Sequence, residues 1–227
     1  MIQNVLVIGG SRNIGYFSAV RFLDAGATVT FLLRSPSVFD KDMVIQGHVK
    51  AGKAHIVKGD ALTESGVQQS WNKAGKHGNI DLLLFTVGVT RASHTALPLL
   101  LKPVDGYLLA VPHKDKVGAE RVISHCAGWT WKSSEDGEPD ENTMGPGDWT
   151  QRSGLPVAGT LKQVLVIRPA LLTDGECAAE GSGKSYRVSD GELKGWTVSR
   201  KDVAHFVVDA ALNRWREFEN KVVSIAY

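Results

Sequence analysis

The chain is predicted to form an α/β domain with a doubly wound, mainly parallel sheet and helices on both faces, and three observations predict it. Short apolar runs alternate with helical patterns over residues 3–87, the order of βαβ units wound right-handedly. The first run ends in a glycine-rich turn that opens onto a helix. At 227 residues and 43% hydrophobic composition, the chain is long enough to bury one large core.

The elements follow in order. Gln3 to Ile8 (QNVLVI) is an apolar run ending at a glycine pair, the pattern of a buried parallel strand. Ile14, Phe17, Val20 and Leu23 recur at three-residue spacing and predict a helix, closed by Gly26 just beyond it. Ala27 to Leu33 (ATVTFLL) and Ala54 to Lys58 (AHIVK) are the second and third strands. A helix through Val67, Trp71 and Ala74 leads to a fourth strand, Ile80 to Val87. Pro98, Pro103 and Pro112 divide residues 90–113 into short pieces. A helix resumes near Lys114, with Ala119, Val122, Ile123, Cys126 and Ala127 on one face. Residues 133–148 are acidic and rich in Gly and Pro, and read as an exposed, flexible loop. Gln163 to Ile167 is a further strand ending in Arg168-Pro169, and Val222 to Ala226 closes the chain as another. Between them Ser199-Arg200-Lys201-Asp202 resembles a capping box with Asp in place of Glu. It opens a helix buried through Val203, Phe206, Val207 and Ala210. No internal repeat or linker separates two full domains, so residues 1–227 are expected to form one.

Composition disfavours several classes. The net charge is +2, which gives no global attraction to nucleic acid or acidic membranes. The basic residues are scattered, without an aromatic-interleaved basic stretch. No apolar run reaches the ~20 residues of a membrane-spanning helix. The two cysteines, Cys126 and Cys177, stand far apart without a metal-ligand motif, so no metal site is expected and a reducing, cytoplasmic setting fits. Cys126 reads as a small core residue. The oligomeric expectation is a monomer or homodimer.

The sharpest chemical signal is VLVIGGSRNIG. A pyrophosphate must approach backbone N–H groups at a helix N-terminus, where the dipole favours negative charge. Gly9, Gly10 and Gly15 leave room for that approach, and Ser11, Arg12, Asn13 and Ile14 complete the turn. Asn13 stands where glycine is common and tolerates left-handed backbone. The placement of this turn, after an apolar strand and before an amphipathic helix, predicts a Rossmann-type dinucleotide site. An acid after the second strand would favour NAD, but that strand ends Leu32-Leu33-Arg34-Ser35 with no acid before Asp40. Arg34 suits the 2′-phosphate of NADP(H), with Ser35 donating and Arg12 approaching; its alternative is a solvated loop arginine. Asp60, followed by Ala61, suits the adenine amino group or caps its own loop. Thr86, Val87 and Gly88 leave the fourth strand where ligands lie in open α/β sheets.

These blocks resemble the atypical short-chain dehydrogenase/reductases, in particular the NAD(P)H-binding group of flavin- and biliverdin-reductase-like and NmrA-like proteins, in a fungal form. The likeness rests on GGSRNIG, LLRS, KGDALTE, FTVG, VLVIRPALLTDG, YRVSDGEL and TVSRKDVAHFVV. It implies that Arg168, Pro169, Ala170 and Leu171 bring backbone near the nicotinamide. It also implies that Ser199, Arg200, Asp202, Val203 and Ala204 form a structural hallmark. Redox-active members of the wider superfamily use Tyr-x-x-x-Lys, the tyrosine as proton donor. Lys116 matches the lysine half, but the tyrosine position is Pro112, with His113 beside it as a donor or an exposed loop residue. Relative to the family, either one strand near residues 88–90 does the work of two or a helix and strand are missing there, and the chain runs on to Ser93 and His94.

The resemblance implies an NADPH-dependent reductase passing hydride to a small carbonyl, quinone or flavin-like acceptor, with Lys116, His113 and Ser93 as catalytic candidates. Trp129 and Trp131 either line the acceptor pocket or pack in the core. The alternatives are a non-catalytic NADP-binding regulator of NmrA-like type and a non-redox step such as cyclisation, which fold alone does not separate.

Overall fold

The computed structural model describes residues 2–87, 110–139, 141–181, 185–191 and 193–227, with backbone alone for 110–115 and 135. Contacts sort them into two compact units. The first comprises Met1–Val87, Asp174–Gly183 and Ser199–Trp215, and the second Gly88–Thr173, Lys184–Val198 and Arg216–Tyr227. The segment around residues 88–90, where either one strand does the work of two or a helix and strand are missing, lies outside the described residues, as do Gly88, Ser93 and His94.

In the first unit, β1 (Asn4–Ile8), β2 (Thr28–Leu33), β3 (Ala54–Lys58) and β4 (Leu82–Phe85) form a parallel sheet of order β3-β2-β1-β4. Non-neighbouring order in sequence follows from right-handed crossovers through helices. The register pairs Ile8 with Leu32 and Phe85, and Leu33 with Lys58. β1 lies inside the sheet, and all five of its residues are buried, as expected of a parallel strand covered on both faces.

Helix α1 (Asn13–Asp24) follows β1, α2 (Met43–Lys50) follows β2 and α3 (Glu64–Gly75) follows β3. The buried face of α1 is Gly15, Ser18, Ala19, Phe22 and Leu23, not the expected line of Ile14, Phe17 and Val20, which are half-buried. Small residues let α1 come close to its neighbours, and hydrophobicity at three-residue spacing does not register that. Trp71 is likewise 46% exposed, and α3 buries Ala74 together with Gly66 and Ser70. In the second unit α4 runs Ala110–Ala127, starting earlier than expected, with Pro112 inside its first turn. Proline is tolerated there because the first N–H groups have no helical acceptor. α4 buries Val117, Gly118, Glu120, Ser124, Cys126 and Ala127, whereas Ala119, Val122 and Ile123 are half-buried.

The acidic stretch 133–148 is not a plain exposed loop. It contains the single turns α5 (Ser133–Asp136) and α6 (Glu141–Met144), and Met144 is buried. β5 (Leu165–Pro169) pairs in parallel with β9 (Lys221–Ala226), which pairs antiparallel with β7 (Arg187–Ser189). β6 (Leu171–Thr173) pairs with β8 (Thr197–Ser199). β5 starts two residues later than expected because Gln163 takes a positive φ of 58°. Back in the first unit, α7 (Arg200–Leu212) packs on α1 and buries Val203, Phe206, Val207 and Ala210, as its sequence pattern predicts. The short α8 (Trp215–Phe218) follows it. No described helix is long and apolar enough to cross a membrane.

Candidate functional site

Because β1 to β4 run parallel, the turns after them emerge on one edge of the sheet. That edge carries Gly9–Gly15, Arg34 and Ser35, Asp60 and Ala61, and Thr86 and Val87. The sequence-predicted dinucleotide residues of the first unit are therefore brought to one place by topology, the arrangement in which open α/β sheets hold ligands.

The glycine turn is built by close packing as well as by backbone freedom. Gly9 takes φ +94°, and a Cβ there would lie 2.8 Å from the Thr86 hydroxyl and 2.9 Å from the backbone of Val87. A Cβ on Gly15 would lie 2.5 Å from the Gly9 carbonyl oxygen and collide with the Thr86 hydroxyl. At Gly10 it would meet Val7 and Phe31 at 2.7 and 2.8 Å. Thr86 Oγ1 donates to the Gly9 carbonyl at 3.1 Å, tying the end of β4 to the turn. Asn13 takes φ 57°, the left-handed backbone its residue type tolerates.

The start of α1 differs from other helix starts in the same unit. Asp42, Thr63 and Ser199 cap α2, α3 and α7 by accepting from Ile45, Gly66 and Asp202. Arg12, at the head of α1, offers no side-chain cap, and the first turn holds no acid. The N–H groups left over at a helix start keep their partial positive charge available to an anion. Arg12 and Arg34 are exposed and pair with no described residue, so two further cations are available at this edge.

Beside them lies an apolar floor. Ile8, Leu32 and Val57 are buried together, and Ala61, Val67 and Val87 pack against them. Asp60 caps its own loop: Oδ1 accepts from Leu62 N at 3.0 Å, and its carbonyl accepts from Thr63. Ser35 precedes a 3-10 turn, Pro36–Phe39, without capping it through its side chain. Two cavities of about 280 and 270 Å³ lie elsewhere, along α1 and α7 around Arg21 and Asp24, and none of the predicted site residues lines them.

The remaining candidates belong to the second unit. Lys116 is half-buried in α4, His113 lies in the same helix with its side chain outside the described residues, and Ser93 lies outside them altogether. The Arg168 guanidinium is held by Glu120 on α4 (2.9 and 2.5 Å) and by Asp136 (3.0 Å). Burial opposes its charge, but the two carboxylates outweigh burial and hold it more firmly protonated than usual. Sequence reasoning missed Glu120, whose only signal is an acid on the buried side of a helix. The backbone N–H groups of Ala170 and Leu171 donate to Ile225 and Trp196, and Pro169 is buried at the end of β5. Trp131 packs on Arg121, as does Trp149, and its indole N–H donates to Gly137. Trp131 thus ties the 131–149 stretch to α4.

The Ser-Arg-x-Asp motif is structural. Asp202 is fully buried, and its carboxylate accepts from Ala178 N, Ala179 N, Ser199 Oγ and the Cys177 thiol. Arg200 and Lys201 bind Asp174 and Glu176, so α7 straps down residues 174–180. Burial, with Asp202 beside it, pushes the Cys177 thiol up to about 11, and Cys126 is buried too. Among the described residues, no group of three His, Cys, Asp or Glu side chains could hold a metal.

Residues 3–99 match the family model for short chain dehydrogenases. That stretch holds the glycine turn, the Arg34 strand end and the Thr86 contact. Over 150 residues, 64% of this chain, the sequence is 31% identical to a protein named reductase PytE from Aspergillus terreus. The match spans 47% of that protein, so this chain corresponds to about half of that relative. A short-chain dehydrogenase from Burkholderia cenocepacia, solved in complex with NADP, superposes with a TM-score of 0.52 at 20% identity, covering 99% of this chain and 96% of that one. A Serratia marcescens short-chain dehydrogenase/reductase variant gives 0.53 at 20% identity with the same coverage. An anaerobillin reductase from Escherichia coli O157:H7 gives 0.51 at 17%, covering 98% and 96%. The fold is that of the Rossmann-type short-chain dehydrogenase/reductases.

Proposed function

We propose that this chain is an NADPH-dependent reductase of the short-chain dehydrogenase/reductase type, acting on a small carbonyl, quinone or flavin-like acceptor. The observation that carries the reading is the uncapped start of α1 on a glycine turn, flanked by Arg12 and Arg34, which pair with no described residue. The N–H groups of that turn hold a pyrophosphate, and Arg34, with Ser35, holds a 2′-phosphate by charge-assisted hydrogen bonds. Ala61 and Val87 give the adenosine an apolar seat. Bound NADPH supplies the hydride; an acceptor that takes its proton from water needs no tyrosine beside Lys116. The reductase name of the Aspergillus relative and the NADP complex of the Burkholderia structure support the same reading.

A second reading has its own observation. Pro112 stands at the tyrosine position, which favours an NADP-binding regulator without turnover. Calorimetric titration with NADPH and NADH, followed by NADPH oxidation with a panel of quinones and flavins, tests both. Micromolar NADPH binding, much weaker NADH binding and turnover support the reductase. Tight binding without turnover supports the regulator. No binding by the folded protein refutes both.

A further inference from the structure

The path from Arg34 to α2 is surface chain with one internal anchor. Arg34, Ser35, Ser37, Val38 and Asp40 are exposed, whereas Phe39 is 1% exposed. Its ring meets Phe31 of β2 edge-on at 5.2 Å and Tyr16 of α1 at 6.1 Å. The Phe39 carbonyl accepts from Asp42 N at 3.1 Å and from the Gln46 side chain at 2.9 Å. Asp42 in turn caps α2, accepting from Ile45 N at 2.9 Å. Burial first, and the neighbouring Asp42 carboxylate after it, raise the pKa of the Tyr16 phenol. Tyr16 directly follows Gly15, so a single side chain connects the glycine turn with the loop that carries Arg34.

We infer that Tyr16 is a positioning residue that, through Phe39 and Asp42, orders the Arg34 loop and so sets the preference for a 2′-phosphorylated dinucleotide; this rests on the cofactor reading above. An exposed arginine contributes to binding only what remains after its own ordering. An anchored loop has met part of that cost before the ligand arrives. A dinucleotide without the 2′-phosphate has no group for Arg34 to hold, so it gains nothing from the anchor. A general loosening of the fold would weaken both dinucleotides alike, and this separates positioning from mere stability.

The test is calorimetric titration of the wild type, Tyr16→Leu and Tyr16→Phe with NADPH and with NADH. Amide hydrogen exchange over residues 35–41 is measured alongside on the ligand-free proteins. Tyr16→Leu is expected to weaken NADPH roughly 5–10-fold, the cost of ordering one or two side chains, and to leave NADH affinity unchanged. Exchange at Val38, Phe39 and Asp40 should quicken. Tyr16→Phe keeps the ring against Phe39 and is expected to shift both readouts in the same direction by about 2–3-fold; it decides the matter if the leucine variant does not fold. Wild-type selectivity for NADPH together with an unchanged NADPH/NADH ratio in the variants overturns this inference alone. A wild type that binds neither dinucleotide overturns the cofactor reading, and this inference with it.

Discussion

Alanine for glycine should have opposite effects at two helical positions, because the space around them differs. Gly47 lies inside α2, is exposed, and a Cβ there has nothing within 4 Å. Gly47→Ala therefore gains helix propensity alone, about 1 kcal/mol. Gly15 also lies in a helix, but its Cβ would sit 2.5 Å from the Gly9 oxygen and 3.0 Å from the Gly9 carbonyl carbon, and would strike the Thr86 hydroxyl. Two of these three atoms are backbone, so no rotamer change relieves the overlap. Overpacking of this kind costs about 1–3 kcal/mol, and dislodging Thr86 from the Gly9 carbonyl costs about 1 kcal/mol more. Against the ~1 kcal/mol propensity gain, the net is a destabilisation of about 1–3 kcal/mol. Thermal denaturation should show Gly15→Ala melting roughly 2–12 °C lower and Gly47→Ala roughly 2–4 °C higher than wild type. NADPH titration should show binding lost in the first and kept in the second. Thr86→Ala in the Gly15→Ala background should recover only part of the loss, since the Gly9 backbone stays in place. A Gly15→Ala protein with wild-type melting and NADPH affinity would refute the close-packing account of the turn.

Other expectations rest on single groups. Arg34→Ala should weaken NADPH by about tenfold or more and leave NADH unchanged, as for loss of a charged phosphate contact; equal losses for both would remove Arg34 from the 2′-phosphate. Asp202→Asn should destabilise by about 3 kcal/mol or more, because an amide cannot replace four acceptor contacts and buries a donor facing N–H groups. Urea denaturation checks this, and a variant within experimental error of wild type would sink the strap. The Tyr16 phenol is raised to about 12, by burial first and by Asp42 second. Its stabilisation is fully present below its ordinary value of 10.0 and is lost as pH rises towards 12. Melting temperatures between pH 9 and 12 should fall less steeply in Tyr16→Phe than in wild type. His55 and His77 stack at 3.7 Å, and both are held below the ordinary 6.5 by burial and nearby positive charge. The stability they contribute is present above pH 6.5 and lost as pH falls below it. His77→Phe should flatten the acid limb of the melting curve, and an unchanged limb would dismiss the pair as its cause.

The first strands, the glycine turn and the cation at the end of β2 were legible because each is written in a few adjacent residues. An apolar run, a glycine pair and an amphipathic stretch lie within Gln3–Leu23, and local chemistry alone requires a turn with room for an anion there. The buried face of α7 was legible for the same reason: period, cap and apolar residues agree within Ser199–Ala210. Parallel topology then carried the turns after β1 to β4 to one edge.

Tertiary structure alone decided how the pieces lock. Gly15 serves packing against Gly9 and Thr86, seventy-one residues from Thr86 in sequence. α1 buries small residues where larger apolar ones stand one position away, because close approach to α7 rewards shape over hydrophobicity. Arg168, read as a strand-end marker, spends its side chain on Glu120 and Asp136, and Asp202 on residues 177–179. Phe39, a lone aromatic in a polar loop, becomes an anchor only once Phe31 and Tyr16 arrive beside it. Composition and periodicity report what a segment needs, a buried face or an anion. Which distant group satisfies that need depends on distances that exist only after the chain has folded.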